Sequence, residues 1–146
     1  MRNRLPLLAY STFLIACGFA LGSAFGPGGA AHGQSSARVF ELRTYTASES
    51  KLGELHARFR NHTLRIFERL GMTNVVYLSP HDAPLKNNTL VYLLAYPSRE
   101  AAKASWEAFR NDPEWKKVAA ESQANGPLTT KVESIFLDPT DYSPMR

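Results

Sequence analysis

From residue 38 onward the hydrophobic positions follow two rhythms, every second residue in some stretches and every third or fourth in others. Strands and helices therefore alternate along the chain. RVFELRTYT (38–46) is rich in β-branched and aromatic residues and predicts a first strand. One face holds Phe40, Leu42 and Thr44; the other holds Val39, Glu41, Arg43 and Tyr45, a polar row. From about Glu49 to Leu70, the residues Leu52, Leu55, Phe59, Ile66, Phe67 and Leu70 recur at helical spacing. Ser48 is the expected N-cap of that helix and Gly71 its left-handed stop. His62 stands at the border of its apolar arc. MTNVVYLS (72–79) predicts a second strand, SPHDAPLKNN a loop, and TLVYLLAY (89–96) a third strand that is apolar on both faces. Leu90, Tyr92, Leu94 and Tyr96 form one of those faces, and Val91, Leu93 and Ala95 the other. Ser98 is placed to cap a helix carrying Trp106 and Phe109, and Asp112-Pro113 opens a further helical segment with Trp115 and Val118 on its inner side. Asn125-Gly126-Pro127 breaks the chain, and TTKVESIFL (129–137) alternates as a fourth strand.

The order β-α-β-β-α-β, with right-handed crossovers, predicts an α+β fold: a ferredoxin-like antiparallel sheet with its helices on one face. Strands one and three are then central, and strand four, with Lys131 and Glu133, is an edge. Strand three's second apolar face has nothing in its own chain to cover it, and a naked face marks an interface. The expectation is a homodimer in which two sheets meet face to face, and Arg or Asp at Leu94 is expected to give monomers or aggregates.

Ahead of this domain, Arg2 and Arg4 precede an apolar span from Leu5 to about Phe25, which turns into small residues and glycine. Positive, apolar, small is the order of an export signal, here residues 1–33 with cleavage after Ala31-His32-Gly33. LIAC (14–17) has the shape of a lipoprotein box that would lipidate Cys17, and the apolar span is also long enough to remain as an uncleaved anchor. Each reading puts the domain outside the cytoplasm, in the periplasm or beyond, and leaves the membrane as a partner only through the leader. Residues 34–37 are a linker, 38–138 the domain and 139–146 a proline-bearing tail. Cys17 is the single cysteine, so the domain forms no internal disulfide and depends on packing. Arg2 and Arg4 supply two of the formal +4 charges, leaving the domain near +2, with basic residues dispersed among acids. That distribution argues against nucleic acid as a partner.

With these elements placed, FELRTYT, NHTLRIFERLGM, AYPSREAAKASWEAFRNDPEW and VESIFL together resemble the NIPSNAP family over about residues 39–137. The resemblance implies a dimeric α+β barrel, in agreement with the dimer expected from strand three. It implies no defined activity, because related branches of that superfamily include cofactor-independent monooxygenases, haem enzymes and proteins without known catalysis.

The candidate chemistry is sparse. His62 is either a partly buried histidine bonded to a strand or a partner chain, or a group in a ligand pocket suited to proton transfer. The row Glu41, Arg43, Tyr45 is either an ion-pair network across the dimer interface or part of a wet cavity in which Arg43 recognises a carboxylate. Tyr77, Tyr92 and Tyr96, with Trp106 and Trp115, form either core or an aromatic pocket. The expected ligand-binding set is Arg43, Tyr45, His62, Tyr77, Tyr92 and Trp106, with no firm catalytic residue beyond the candidate His62. His56 and His62 lack the i, i+4 spacing of a helical metal site, there is no HExxH, and His81-Asp82 lies in a loop, so neither metal nor cofactor is expected. Two functions follow: binding of a small, partly apolar molecule or service as an accessory module, and, as the alternative, oxygenase-like chemistry on an aromatic or quinone-like substrate. A filled interior would favour a purely structural dimerisation module; an enclosed space near His62, Tyr92 and Arg43 would favour a ligand.

Overall fold

Four antiparallel strands, β1 (Val39–Ala47), β2 (Thr73–Leu78), β3 (Thr89–Tyr96) and β4 (Thr129–Leu137), pair in the order β2-β3-β1-β4. β1 and β3 are central, as the topology required, and β2 and β4 are the edges. The computed structural model describes residues 38–145; the leader, the linker and Cys17 lie outside them. Among the described residues no helix is long and apolar enough to cross a membrane.

One long helical stretch connects β1 to β2. It runs as α1 (Leu52–Arg58), a π-helical turn (Phe59–Thr63) and α2 (Leu64–Arg69). The Leu64 amide reaches back to Phe59 O, five residues away, and the Thr63 hydroxyl donates to Arg58 O at 3.3 Å, satisfying a carbonyl the wider turn leaves over. Leu55, Phe59, Ile66 and Phe67 are buried, as their spacing predicts, and Thr63 rather than His62 takes the inward place between them. The start differs from expectation. Ser48 donates to Pro127 O at 2.7 Å instead of capping, Ser50 adopts φ 60°, and the helix begins at Leu52. Gly71, at φ 82°, ends it as predicted.

After β3 come α3 (Arg99–Asn111) and α4 (Pro113–Ser122). Both caps follow the sequence: Ser98 Oγ accepts from the Ala101 amide at 3.2 Å, and Asp112 Oδ1 from the Trp115 amide at 2.9 Å. Asp112 also receives Arg69 of α2 at 3.0 and 3.2 Å, locking the two helical layers together.

The core lies between helices and sheet, on the face of β3 that presents Leu90, Tyr92, Leu94 and Tyr96. Leu94 is fully buried there, so it belongs to the domain's own core, and the expectation that it would sit at an interface is corrected. Register places Glu41, Arg43 and Tyr45 on that same face, opposite Leu94, Tyr92 and Leu90. The polar row therefore lies beneath the chain's own helices and not on the outward face. The outward face is the apolar one: Leu42 on β1, Val91 and Leu93 on β3, Val76 and Leu78 on β2, and Ile135 and Leu137 on β4, with Ile135 58% exposed.

Candidate functional site

Glu41 organises the space between α3 and the β1–β4 edge of the sheet. It is 1% exposed, and its carboxylate accepts four hydrogen bonds. Oε1 receives Arg43 Nη1 at 2.5 Å and Ser134 Oγ at 2.6 Å; Oε2 receives Tyr96 OH at 2.8 Å and Trp106 Nε1 at 2.6 Å. The donors come from β1, β4, β3 and α3, so one carboxylate ties the three adjoining strands to the helix above them. Burial alone would raise its pKa; the bonds from Ser134, Trp106 and Tyr96 and the adjacent Arg43 charge outweigh burial and hold it below the ordinary carboxylate range. Burial pushes the Tyr96 phenol up, and the Glu41 charge pushes it further. Glu41 is thus an ionised anchor with its lone pairs occupied, rather than a base facing solvent.

The anchor fixes Arg43. Its guanidinium lies 4.2 Å from the Trp106 ring centroid, and Nη2 is 3.4 Å from Tyr45 OH. Burial works against its charge, but the phenol groups of Tyr92 and Tyr45 together with the Glu41 carboxylate raise its pKa, so it remains a cation. Its buried Nε has no hydrogen-bond partner among the described residues. Above it opens a solvent-connected groove of about 820 Å³, walled by Tyr45, Trp106, Phe109 and Phe136. Arg99, Lys103 and Arg110 form its rim, with Glu100 the one rim carboxylate. Four cations against two carboxylates, one of them already bound by four donors, give the groove a net positive lining. Arg99 additionally covers the Phe136 ring at 3.3 Å.

Of the residues expected to bind a ligand, Arg43, Tyr45 and Trp106 meet in this groove. The others lie elsewhere. Tyr92 is fully buried, stacked on Tyr77 at 5.3 Å and 14° and edge-on to Phe59 and Tyr45. Its hydroxyl has no hydrogen-bond partner among the described residues, and burial lifts its pKa well above the ordinary phenol value. Tyr77 donates to Asn74 Oδ1 and borders a small cleft of about 230 Å³ that also includes His56. His62 lines a third cleft, between α1 and α4, with Arg58, Ser122 and Asn125. His62, Tyr92 and Arg43, whose common enclosure would have favoured a ligand, lie in three separate places. Among the described residues no group of three His, Cys, Asp or Glu side chains is placed to hold a metal ion.

The rim cations were missed at the level of sequence, although they left a signal. Arg99, Lys103, Trp106 and Arg110 stand at i, i+4, i+7 and i+11, a single stripe of α3. Read as a solvated helix face it says little; read with Arg43 on the neighbouring strand it outlines the groove.

Solved structures similar to the domain share this architecture. A NIPSNAP family protein of unknown function from Agrobacterium tumefaciens superimposes with a TM-score of 0.66 at 18% identity, over 76% of this chain and 96% of that one. An uncharacterised NIPSNAP-like domain protein from Burkholderia xenovorans gives 0.65 at 21% identity, over 75% and 90%. SnoaB, a cofactor-independent oxygenase from Streptomyces nogalater, gives 0.51 at 17% identity, over 74% and 98%, a likeness of fold. No curated protein matches the chain. The NIPSNAP family model matches residues 40–144, nearly all of the described domain and most of the chain. With its four-stranded antiparallel sheet and ferredoxin-like order of elements, the chain belongs to the NIPSNAP family.

Proposed function

We propose that the protein is an exported homodimer that binds a small anion with an aromatic or otherwise apolar body in the α3 groove. The observation that carries this reading is the Arg43 guanidinium, held by Glu41 against Trp106 beneath a rim of three further cations. A guanidinium pre-set by a second carboxylate loses little freedom when an anion arrives, and the flanking rings supply apolar contact. The buried groups of the groove offer no free general base: Glu41 is saturated with donors, Ser134 among them, and the Tyr96 phenol is held protonated. Binding is therefore favoured over oxygenase chemistry, for which the likeness to SnoaB supplies a fold and no residue.

Homodimerisation rests on the outward sheet face. Val76, Leu78, Ile135 and Leu137 are exposed apolar residues on one flat surface. A second copy offers the same surface, and two such faces pack as an isologous pair of stacked sheets.

Fluorescence titration with 8-anilinonaphthalene-1-sulfonate, an aromatic anion, tests the groove. Lys103 and Arg110 are exposed, so Lys103→Glu with Arg110→Glu reverses the rim without touching the core. Affinity is expected to fall about tenfold or more, and wild-type binding to weaken with added salt. Equal affinity in the double variant would overturn the proposal.

A further inference from the structure

Arg58 is a buried cation without a counter-ion. It is 8% exposed, and it makes no ion pair among the described residues. Its guanidinium lies 3.5 Å from Ser122 Oγ, the limit of a hydrogen bond, and 5.1 Å from the Trp115 ring, and the phenols of Tyr45 and Tyr92 are near enough to offset part of its burial. Its Nε has no hydrogen-bond partner among the described residues. The two carboxylates that line the same cleft are engaged at the surface instead, Glu54 with Lys51 at 2.8 Å and Glu121 with Lys117 at 3.9 Å. Burial pulls the Arg58 pKa below the ordinary guanidinium value. A desolvated charge left in this condition is unfavourable, and protein interiors pair such groups or bring an ion to them.

The space for that ion is present. Arg58 ends α1 where the π-helical turn begins, and the cleft between this turn and α4 has a volume of about 340 Å³. Asn61, His62, Ser122 and Asn125 bring further polar groups to its walls, with Ala57 and Val118 as apolar contacts. We propose that this cleft is a second binding site, distinct from the α3 groove, that takes a small monocarboxylate whose carboxylate pairs with Arg58. A second negative charge on the ligand would meet Glu54 or Glu121, so dicarboxylates are disfavoured. His62 and the two asparagines contact the neutral end of the ligand. This gives His62 a ligand-facing place that is separate from Arg43 and independent of the reading of the groove.

Thermal unfolding at constant ionic strength, with sodium acetate or glycolate set against sodium malonate and sodium chloride, tests the site. The wild-type Tm is expected to climb with acetate and glycolate and to stay flat with malonate, because a ligand bound only by the folded state raises its stability. Arg58→Met keeps length and packing on Trp115 while removing the charge. It should abolish the climb and leave the ligand-free Tm equal to or above wild type. Should Arg58→Met fail to fold, Asn125→Asp decides the matter, since residue 125 is exposed and the new charge at the mouth should suppress the climb. The Lys103→Glu/Arg110→Glu variant should climb like wild type. A flat wild-type response, a climb that survives Arg58→Met or Asn125→Asp, or one lost through the rim variant would each overturn the proposal.

Discussion

The two faces of the sheet invert the ordinary relation between polarity and burial. Toward the helices, β1 presents Glu41, Arg43 and Tyr45, and Glu41 is 1% exposed. Away from them the same strands present Leu42, Val91, Leu93 and Ile135, with Ile135 more than half exposed. A charged group is tolerated on the covered face because each of its lone pairs finds a donor: Glu41 collects four, from three strands and a helix. An apolar group on the open face finds no such local solution and requires another surface. The covered face is complete within one chain, and the open face leaves apolar side chains in contact with water. The proposed function accordingly gives ligand recognition to the first and assembly to the second.

The sharpest way to break the covered face is Glu41→Gln. The substitution conserves volume but places an amide N–H₂ among groups that all donate, and it leaves Arg43 without its counter-charge. Removing one partner of a buried ion pair costs on the order of 3–5 kcal/mol, and urea denaturation should register a loss of that size together with loss of the groove's anion affinity. The same carboxylate makes stability depend on pH. Its folded pKa lies below its unfolded value, so its contribution is fully present above the unfolded pKa of about 4.3. It is lost as pH falls through the folded value. Wild type should therefore lose stability on acidification below that point more steeply than Glu41→Gln, whose side chain does not titrate; parallel pH profiles would show that Glu41 is not the group responsible.

Adjacent residues on β3 then separate the faces. Leu94 is fully buried toward the helices, and Leu93 is half-buried on the outward face. Leu94→Ala should cost about 2–5 kcal/mol as a core cavity without altering the mass of the assembly. Leu93→Asp should leave the domain folded and convert a dimer to a monomer in light scattering. A monomeric wild type, or an unchanged mass for Leu93→Asp, would remove the argument for face-to-face association.

The same pair of residues marks how far the sequence was legible. Element order, three of the helix termini and the central place of β1 and β3 follow from periodicity and local chemistry around Ser98, Asp112 and Gly71, because caps and turns are decided by residues close in the chain. Facing is decided by partners distant in the chain. Alternation separates Glu41, Arg43 and Tyr45 from Phe40 and Leu42, but hydrophobicity suggests the second set as the one beneath the helices. Trp106, Tyr96 and Ser134, 55 to 93 residues away, reverse that choice. The neighbours of His62 were not legible for a related reason. Its angle on a regular helix puts it at the apolar border, whereas the π-helical turn brings Thr63 inward and leaves His62 on the α4 side. Arg43, Tyr45 and Trp106 were legible as candidates because their chemistry is unusual wherever they point. Arg58 was not, since nothing local distinguishes a buried arginine from a solvated one.

The smallest expected effect addresses where the open face ends. Lys131 and Glu133 pair at 2.8 Å on β4, on the outward side with Ile135 and Leu137 but at its polar end, and both are more than half exposed. In an isolated domain such a pair is worth about 0.2–1 kcal/mol, so Lys131→Ala should scarcely move the denaturation midpoint. If the second copy covers only the apolar end, that small value persists at protein concentrations where the dimer forms, and added salt reduces it further. If the second copy reaches the polar end, the pair loses solvent, Glu133 is left without its counter-charge in Lys131→Ala, and the dimer dissociates at higher protein concentration than wild type. Dilution series of the two proteins, followed by light scattering, discriminate these outcomes. The narrower interface is the expected result, because Thr44 beside Glu133 and Thr46 beside Lys131 carry the polar character across to the central strand, where Leu42 beside Ile135 begins the apolar surface.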